Sequence, residues 1–186
     1  IFNCLNAING FILKNEAEVA ADYLTKFSRL IRMVLNNSQK QFISLEEELD
    51  TLGLYLHMER LRFSFNYQVN CDNSVDAPSV FIPPMLLQPF VENAIWHGLM
   101  HKEKGGELTV DIHLDNDMLH VKIEDNGVGR KRADLIKSKS AQRNKSLGLT
   151  ITKNRMALLN QGLNDVCFFE IKDLEIIIKR TVKNIK

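Results

Sequence analysis

The chain has 186 residues, of which 45% are hydrophobic and 25% are charged, and its formal net charge is +1. These values are ordinary for a globular protein, so the overall charge favours no particular partner. The cysteines Cys4, Cys71 and Cys167 form neither a disulfide framework nor a Cys-x-x-Cys metal motif, which indicates a reducing compartment. No apolar run approaches the roughly 18 residues that span a bilayer, and no signal-peptide pattern is seen.

The first third of the chain has the apolar spacing of helices. Residues 1–37 show apolar positions every three or four residues, with a break near Asn15. Ser44 and Glu47 have the spacing of a capping box, and a second amphipathic helix follows to about residue 65. Two such helices form an antiparallel hairpin that cannot bury its own apolar stripe. We therefore expect it to pair with a second copy as a four-helix bundle.

The apolar period then changes to that of strands. Residues 67–71 alternate as a strand, and segments 108–114 and 119–123 alternate around a turn, which predicts a β-hairpin. Between them, Pro84 suits the first turn of a helix, and Pro89 is expected to kink that helix.

The last third of the chain predicts a mixture of elements. A short helix is expected at 130–137, a loop at 138–146 and a longer helix at 147–160. Strands are expected at 166–169 and 175–179.

Mixed strands with helices on one face predict an α+β sandwich. The sequence therefore divides into a helical hairpin, residues 1–66, and an α+β domain, residues 67–186. The chain begins with Ile1 in the middle of a helical pattern, and we expect it to be a cytoplasmic fragment of a longer protein.

Two polar side chains follow one face of the helix after the double proline. Asn93 has apolar neighbours and is expected to be half-buried; its carbonyl oxygen is a hard ligand suited to Mg²⁺. His97, one turn later, can donate a hydrogen bond to a phosphate. The alternative is a buried Asn93 that is satisfied by backbone groups.

An acid followed by a glycine-rich turn ends the second strand of the hairpin. The Asp125 carboxylate can accept a hydrogen bond from an exocyclic amine, which would select adenine over guanine. Gly127 and Gly129 permit positive φ and a close approach of the backbone to a ligand. The alternative is a simple turn that caps a hairpin. Together with Asn93, these residues favour a nucleotide site.

A basic run follows, with seven Lys or Arg and one acid between residues 130 and 145. It can neutralise triphosphate charge, form a solvated face or contact nucleic acid. Nucleic-acid binding is disfavoured because no aromatic side chains are interleaved for stacking. Gly148 and Leu149 then start a helix whose N-terminal amides can receive a phosphate.

Zinc binding and a catalytic triad are two other chemistries that histidines can support. His97 and His101 have the i, i+4 spacing of a zinc pair, but Gly98 lies between them and no third ligand is obvious. No histidine has a nucleophile or acid partner that would suggest a catalytic triad.

Four stretches of the chain make it resemble the cytoplasmic kinase core of LytS/YehU-type sensor histidine kinases, a kind common in Bacteroidetes. Residues 1–8 are similar to the family's P-H-F-(L/I)-F-N-x-L-N-x-I, and residues 55–63 match Y-L-x-x-E-x-x-R-F. Residues 82–98 resemble the family's N box in unusually complete form, and residues 125–129 match its glycine box. The resemblance covers about residues 1–180.

The resemblance implies a Bergerat-type ATP-binding sandwich, as in gyrase and mismatch-repair ATPases, preceded by a dimerisation and phosphoacceptor hairpin. It assigns Asn93 to Mg²⁺ and Asp125 to the adenine amine. It assigns Gly127, Gly129 and Gly148 to the lid over the nucleotide.

The chain also departs from the family pattern. The acceptor histidine of the family would precede Ile1 by two residues, so no catalytic nucleophile is expected within the chain. Ser146 stands where a glycine is usual and Ile151 where an asparagine is usual, whereas Arg155 keeps the family's basic position.

These residues lead to one main hypothesis and two alternatives. The main one is the ATP- and Mg²⁺-dependent core of a two-component sensor histidine kinase, which dimerises through residues 1–66 and passes phosphate to a response regulator. The parent protein would be anchored in the inner membrane. The alternatives are a dimeric scaffold whose nucleotide site has decayed and a gyrase-type ATPase. The last would need a carboxylate one turn before Asn93, where Pro89 stands, although the adjacent Glu92 leaves hydrolysis open.

Overall fold

The computed structural model describes residues 2–102, 105–115, 118–129, 154, 167–172 and 175–181. The described α-helices are α1 (Phe2–Leu13), α2 (Ala17–Ser38), α3 (Leu45–Arg62) and α4 (Gln88–Asn93). The described strands are β1 (Ile43–Ser44), β2 (Phe65–Cys71), β3 (Phe81–Ile82), β4 (Gly106–Asp115), β5 (Met118–Asp125), β6 (Cys167–Lys172) and β7 (Glu175–Thr181). The predictions for 130–137, 138–146 and 147–160 lie outside the described residues.

The helical third contains three helices rather than the two long helices that were predicted. The break near Asn15 is confirmed, since this residue has φ of 60° and separates α1 from α2. The capping box is also confirmed: Ser44 Oγ accepts from the backbone N–H of Glu47 at 3.1 Å, and the Glu47 carboxylate accepts from Ser44 N–H at 3.4 Å. Helix α3 ends at Arg62 rather than near residue 65, because Phe63 is already extended.

A five-stranded sheet with the order β2-β4-β5-β7-β6 forms the second layer. Strands β2 and β4 are parallel, and the segment with α4 connects them; the other pairs in the sheet are antiparallel. The predicted hairpin of β4 and β5 is confirmed, with Asp115 opposite Met118. A separate two-stranded ladder pairs β1, at the start of α3, with β3.

In β4 and β5 one face is buried and the other is polar, as the period-two pattern predicts. The buried positions of β4 and β5 are Leu108, Val110, Ile112, Leu119, Val121 and Ile123. On the opposite face His113 and His120 are directly paired, and their rings stack with centroids 5.1 Å apart. The predicted α+β architecture is confirmed.

The hydrophobic core is continuous from the helical hairpin to the sheet. Tyr23 and Leu56 from the hairpin belong to the same cluster of buried residues as Phe90 and Val110. The division of the chain at residue 66 into two domains stays a prediction, and the core extends across that position.

The two prolines have roles that differ from the predicted ones. Pro84 lies in a turn before the helix and not in its first turn, because α4 begins only at Gln88. Pro89 is the second residue of α4, where a missing backbone N–H breaks no helical hydrogen bond. The predicted kink at Pro89 is therefore wrong.

A buried acid on α3 holds the segment that leads into α4. Glu48 is only 2% exposed, and its carboxylate accepts from the backbone N–H groups of Met85 at 2.8 Å and Leu87 at 2.9 Å. Met85 has φ of 56°, which is unusual for a side chain of its size. The Glu48 carboxylate thus stabilises a strained turn directly before the helix that carries Asn93.

We expect Glu48→Gln to lower the free energy of unfolding by about 1–3 kcal/mol, because an amide nitrogen cannot accept and one backbone N–H loses its partner. Glu46→Gln is the matched control, since Glu46 is exposed on the same helix, and it should change stability by less than about 0.5 kcal/mol. Urea unfolding of both variants measures the difference. Equal unfolding free energies would contradict this role of Glu48.

Candidate nucleotide site

The helix that carries the predicted metal ligand changes its hydrogen-bonding pattern along its length. Helix α4 (Gln88–Asn93) continues into a π-helical turn (Ala94–Gly98) and then a 3₁₀ turn (Leu99–His101). Phe90 and Ile95 are fully buried against the core, whereas Asn93 and His97 are half-buried, as expected for Asn93. π-Helical turns are rare and occur often at functional sites.

A network of hydrogen bonds fixes the turn at the end of β5. Asp125 is the last residue of the strand, and its Oδ1 accepts from the backbone N–H of Gly127 at 2.9 Å. The Asn126 side chain accepts from Glu107 N–H at 2.8 Å and donates to the carbonyl of Gly105 at 3.2 Å. Gly129 has φ of 73°, a conformation that favours glycine.

The π-helical turn and the turn after β5 are in direct contact. A Cβ at Gly98 would collide with Oδ1 of Asp125 and lie 2.9 Å from its Cγ, and a Cβ at Gly127 would collide with the Gly98 backbone. The backbone N–H of Val128 donates to the carbonyl of Gly98 at 3.3 Å. The helix of Asn93 and His97 therefore ends against the carboxylate of Asp125.

This geometry tests two alternatives: a hairpin turn after Asp125, and a zinc site at His97 and His101. The turn at residues 126–128 does not close a hairpin, because the partners of β5 are β4 and β7. His97 lies in the π-helical turn and His101 in the 3₁₀ turn, so they do not keep α-helical i, i+4 spacing. In the part of the chain that the structure describes, no group of three or more His, Cys, Asp or Glu could hold a metal ion. Nothing described favours the zinc alternative.

Glu92, next to Asn93, lies in a buried environment. Burial raises the pKa of its carboxyl, and a hydrogen bond from Gln88 Nε2 at 2.9 Å partly opposes that effect. A carboxylate of raised pKa beside the predicted metal ligand has the property of a proton acceptor. Gln88 and Glu92 are four residues apart, so they lie on the same side of the helix.

Three residues of the site were not predicted from the sequence. Gly98 and Asn126 were noted only as parts of motifs, and Glu48 was not singled out from its run of three acids. A signal for Glu48 was available: it lies three residues after Leu45 and four before Leu52, on the apolar stripe of α3. Gly148, a predicted lid residue, and Leu149, at the predicted phosphate-binding helix start, lie outside the described residues.

Comparisons with known proteins agree with the fold and the motifs. The histidine kinase family profile matches residues 1–67. The profile for histidine kinase-, DNA gyrase B- and HSP90-like ATPases matches residues 84–174. Residues 84–174 thus resemble the ATPase domain that histidine kinases, gyrase B and HSP90 share.

Sequence relatives show more narrowly which sensor proteins the chain resembles. The chain is 29% identical over 128 residues to the sensor protein LytS of Staphylococcus epidermidis, which covers 69% of this chain and 22% of that protein. It is 32% identical over 130 residues to the sensor histidine kinase/phosphatase LytS of Staphylococcus aureus, with the same coverage of both chains. The Bacillus subtilis protein YwpD is 33% identical over 177 residues, 92% of this chain and 59% of that protein. The chain is therefore similar to LytS-type sensor histidine kinases, and it spans about a fifth of the length of the LytS proteins.

Solved structures support the fold. The catalytic domain of the histidine kinase ThkA superposes with a TM-score of 0.52 at 12% identity, covering 78% of this chain and 99% of that domain. The histidine kinase domain from the blue-light activated kinase of Erythrobacter litoralis superposes with a TM-score of 0.50 at 15% identity, covering 87% and 74%. Among the described residues, no helix combines the length and apolar character required to cross a membrane.

Alanine substitutions at two glycines with different surroundings test the contact between the π-helical turn and the turn after β5. Gly98→Ala should lower the free energy of unfolding by about 1–3 kcal/mol, because the added methyl group meets the Asp125 carboxylate. Gly53→Ala is the control: it lies within α3 with nothing within 4 Å of an added Cβ, and should stabilise the protein by about 0.5–1 kcal/mol. Thermal and urea unfolding give both values. A neutral Gly98→Ala would show that the two turns do not touch in solution.

Proposed function

We propose that this chain is the ATP-binding catalytic core of a two-component sensor protein-histidine kinase. The observation that carries the proposal is the contact of Gly98 with Asp125 and Gly127. It supports a single nucleotide site, because the predicted phosphate and metal end, at Asn93 and His97, adjoins the predicted adenine end at Asp125. The similarity to the histidine kinase and histidine kinase-like ATPase profiles supports the same activity.

The residues present suit Mg²⁺ and ATP. The Asn93 amide is half-buried and offers a neutral oxygen, which Mg²⁺ accepts beside waters and phosphate oxygens. In this proposal Asn93 binds Mg²⁺, His97 donates to a phosphate and Asp125 accepts from the adenine amine. Bound Mg²⁺ would neutralise charge on the phosphates of ATP.

The glycines allow the backbone to lie close to the nucleotide. Gly98 and Gly127 already pack without room for a Cβ, and Gly129 has the positive φ that favours glycine. We assign Gly127, Gly129 and Gly148 to the lid over the nucleotide. The amide of Leu149 would contact a phosphate from the start of the next helix.

The reaction would be phosphoryl transfer to a histidine. An imidazole nitrogen forms a bond to the γ-phosphorus of ATP while the bond to the β–γ bridging oxygen breaks and ADP leaves. In the family pattern that histidine directly precedes the segment matched by residues 1–8. The phosphate would then pass to an aspartate of a response regulator, in a parent protein anchored in the inner membrane.

The helical hairpin would supply the dimer interface. Several large apolar side chains of α1 and α2 are exposed: Leu5, Ile12, Leu13, Leu24 and Leu35. Exposed apolar rows on two neighbouring helices are typical of surfaces that pair with a second copy. We therefore assign dimerisation to residues 1–66.

A dimeric scaffold with a decayed nucleotide site is the second candidate. The observation in its favour is the unusual lid sequence, with Ser146 and Ile151 at family positions for glycine and asparagine. A gyrase-type ATPase is disfavoured, because Pro89 stands one turn before Asn93 and offers no carboxylate.

Calorimetric titration with ATP, in the presence and absence of Mg²⁺, separates the first two candidates. We expect Asn93→Ala to weaken binding of ATP with Mg²⁺ at least tenfold and to abolish the difference that Mg²⁺ makes. Asp125→Asn should weaken binding about tenfold to a hundredfold in both conditions, because a charge-assisted hydrogen bond to adenine is lost. Asp111→Asn, on the polar face of β4, is the control and should leave the Kd unchanged. Absence of binding by the unaltered chain at millimolar ATP would support the scaffold.

A further inference from the structure

A compact cluster of side chains joins the end of α3 to the π-helical turn. The guanidinium of Arg62 lies over the ring of Phe63 at 4.8 Å and over the ring of Trp96 at 5.3 Å from the centroids. The two rings meet edge to face with centroids 5.5 Å apart. Burial raises the pKa of the Tyr55 hydroxyl on α3, and the adjacent Trp96 side chain acts in the opposite direction. Trp96 is thus held by three side chains from the hairpin and its end.

Glu59 fixes the guanidinium in this position. Arg62 Nη1 donates to both carboxylate oxygens of Glu59, at 2.8 and 2.9 Å. The two side chains are only 14% and 4% exposed, so water screens the pair little. Burial raises the pKa of the Glu59 carboxyl, and the charge of Arg62 acts in the opposite direction. A guanidinium held in this way presents a fixed flat surface to the Trp96 ring.

Trp96 lies where its side chain can affect the helical segment that carries Asn93 and His97. It is the middle residue of the π-helical turn, three residues after Asn93 and directly before His97. On the other side of the same turn Gly98 packs against Asp125. A π-helical turn contains one more residue than the α-helical hydrogen bond accommodates, so it persists where neighbours hold it on both sides. Here those neighbours are Arg62 and Asp125.

We propose that Arg62 is a positioning residue for ATP binding, which acts through Trp96 to hold the π-helical turn and thereby the placement of Asn93 and His97. This inference rests on the proposed function. Without the flat contact of Arg62, the turn can relax toward α-helical geometry. Residues after Ala94 would then rotate relative to Asn93, and His97 would leave the phosphate end of the site.

The variant Arg62→Lys distinguishes a positioning role of Arg62 in ATP binding from a general role in folding. Lysine keeps a positive charge near Glu59 but lacks the planar guanidinium that covers two rings. We expect the Kd for ATP with Mg²⁺ to rise about fivefold, within the range of a desolvated cation–π contact. The Kd for adenosine, which Asp125 would hold, should change less than twofold. Arg60→Lys is the matched control, because Arg60 is exposed on the same helix, and it should change neither Kd.

The sequence provides a built-in probe. Trp96 is the sole tryptophan among the 186 residues, so intrinsic fluorescence reports on this cluster alone. Arg62→Lys should shift its emission in the free protein and reduce its response to ATP with Mg²⁺. If Arg62→Lys does not fold, the double variant Glu59→Gln, Arg62→Met leaves no buried unpaired charge, and it should show the same selective rise in the Kd for ATP.

The outcomes are distinguishable. A chain that does not bind ATP overturns the proposed function and this inference with it. If the unaltered chain binds ATP but Arg62→Lys binds it within twofold as tightly, the inference alone is overturned. An equal loss of ATP and adenosine binding also overturns it, because that pattern indicates general damage to the fold.

Discussion

The close approach of Gly98 to Asp125 and Gly127 is the constraint on which the site depends. Neither glycine has room for a Cβ, and the amide of Val128 donates to the carbonyl of Gly98 at 3.3 Å. These contacts place the end of the Asn93 helix against the end of β5. The helical segment that carries Asn93 and the strand that ends at Asp125 thereby meet.

The helical hairpin supports this arrangement from outside the sandwich. At one end Glu48 accepts two backbone hydrogen bonds from the turn before α4, and at the other Arg62 and Tyr55 contact Trp96. Both anchors lie on α3, and Asn93 lies between the two anchored points. Because α3 is also part of the continuous core, the hairpin largely sets the position of α4 relative to the sheet.

Local sequence patterns predicted the helices, strands and turns better than they predicted the contacts between distant residues. The capping box of α3, the break near Asn15 and the β4–β5 hairpin follow from rules that act over a few residues. Pro89 was misjudged because a proline in the first turn and one inside a helix look alike until the start of the helix is known. The burial of Glu48 depends on a segment far along the chain. The contact of Gly98 with Asp125 was not predicted, because the two motifs together indicated only that Asn93 and Asp125 serve one ligand.

A nuclear magnetic resonance titration of the ¹⁵N-labelled chain with ATP and Mg²⁺ tests the central claim most directly. If the helix end and the strand end form one site, the amides of residues 93–98 and 125–129 should shift together and give a single Kd. The amides of the polar sheet face, such as Asp111 and His113, should stay unperturbed. Shifts confined to one of the two segments, or two different Kd values, would contradict a shared nucleotide site.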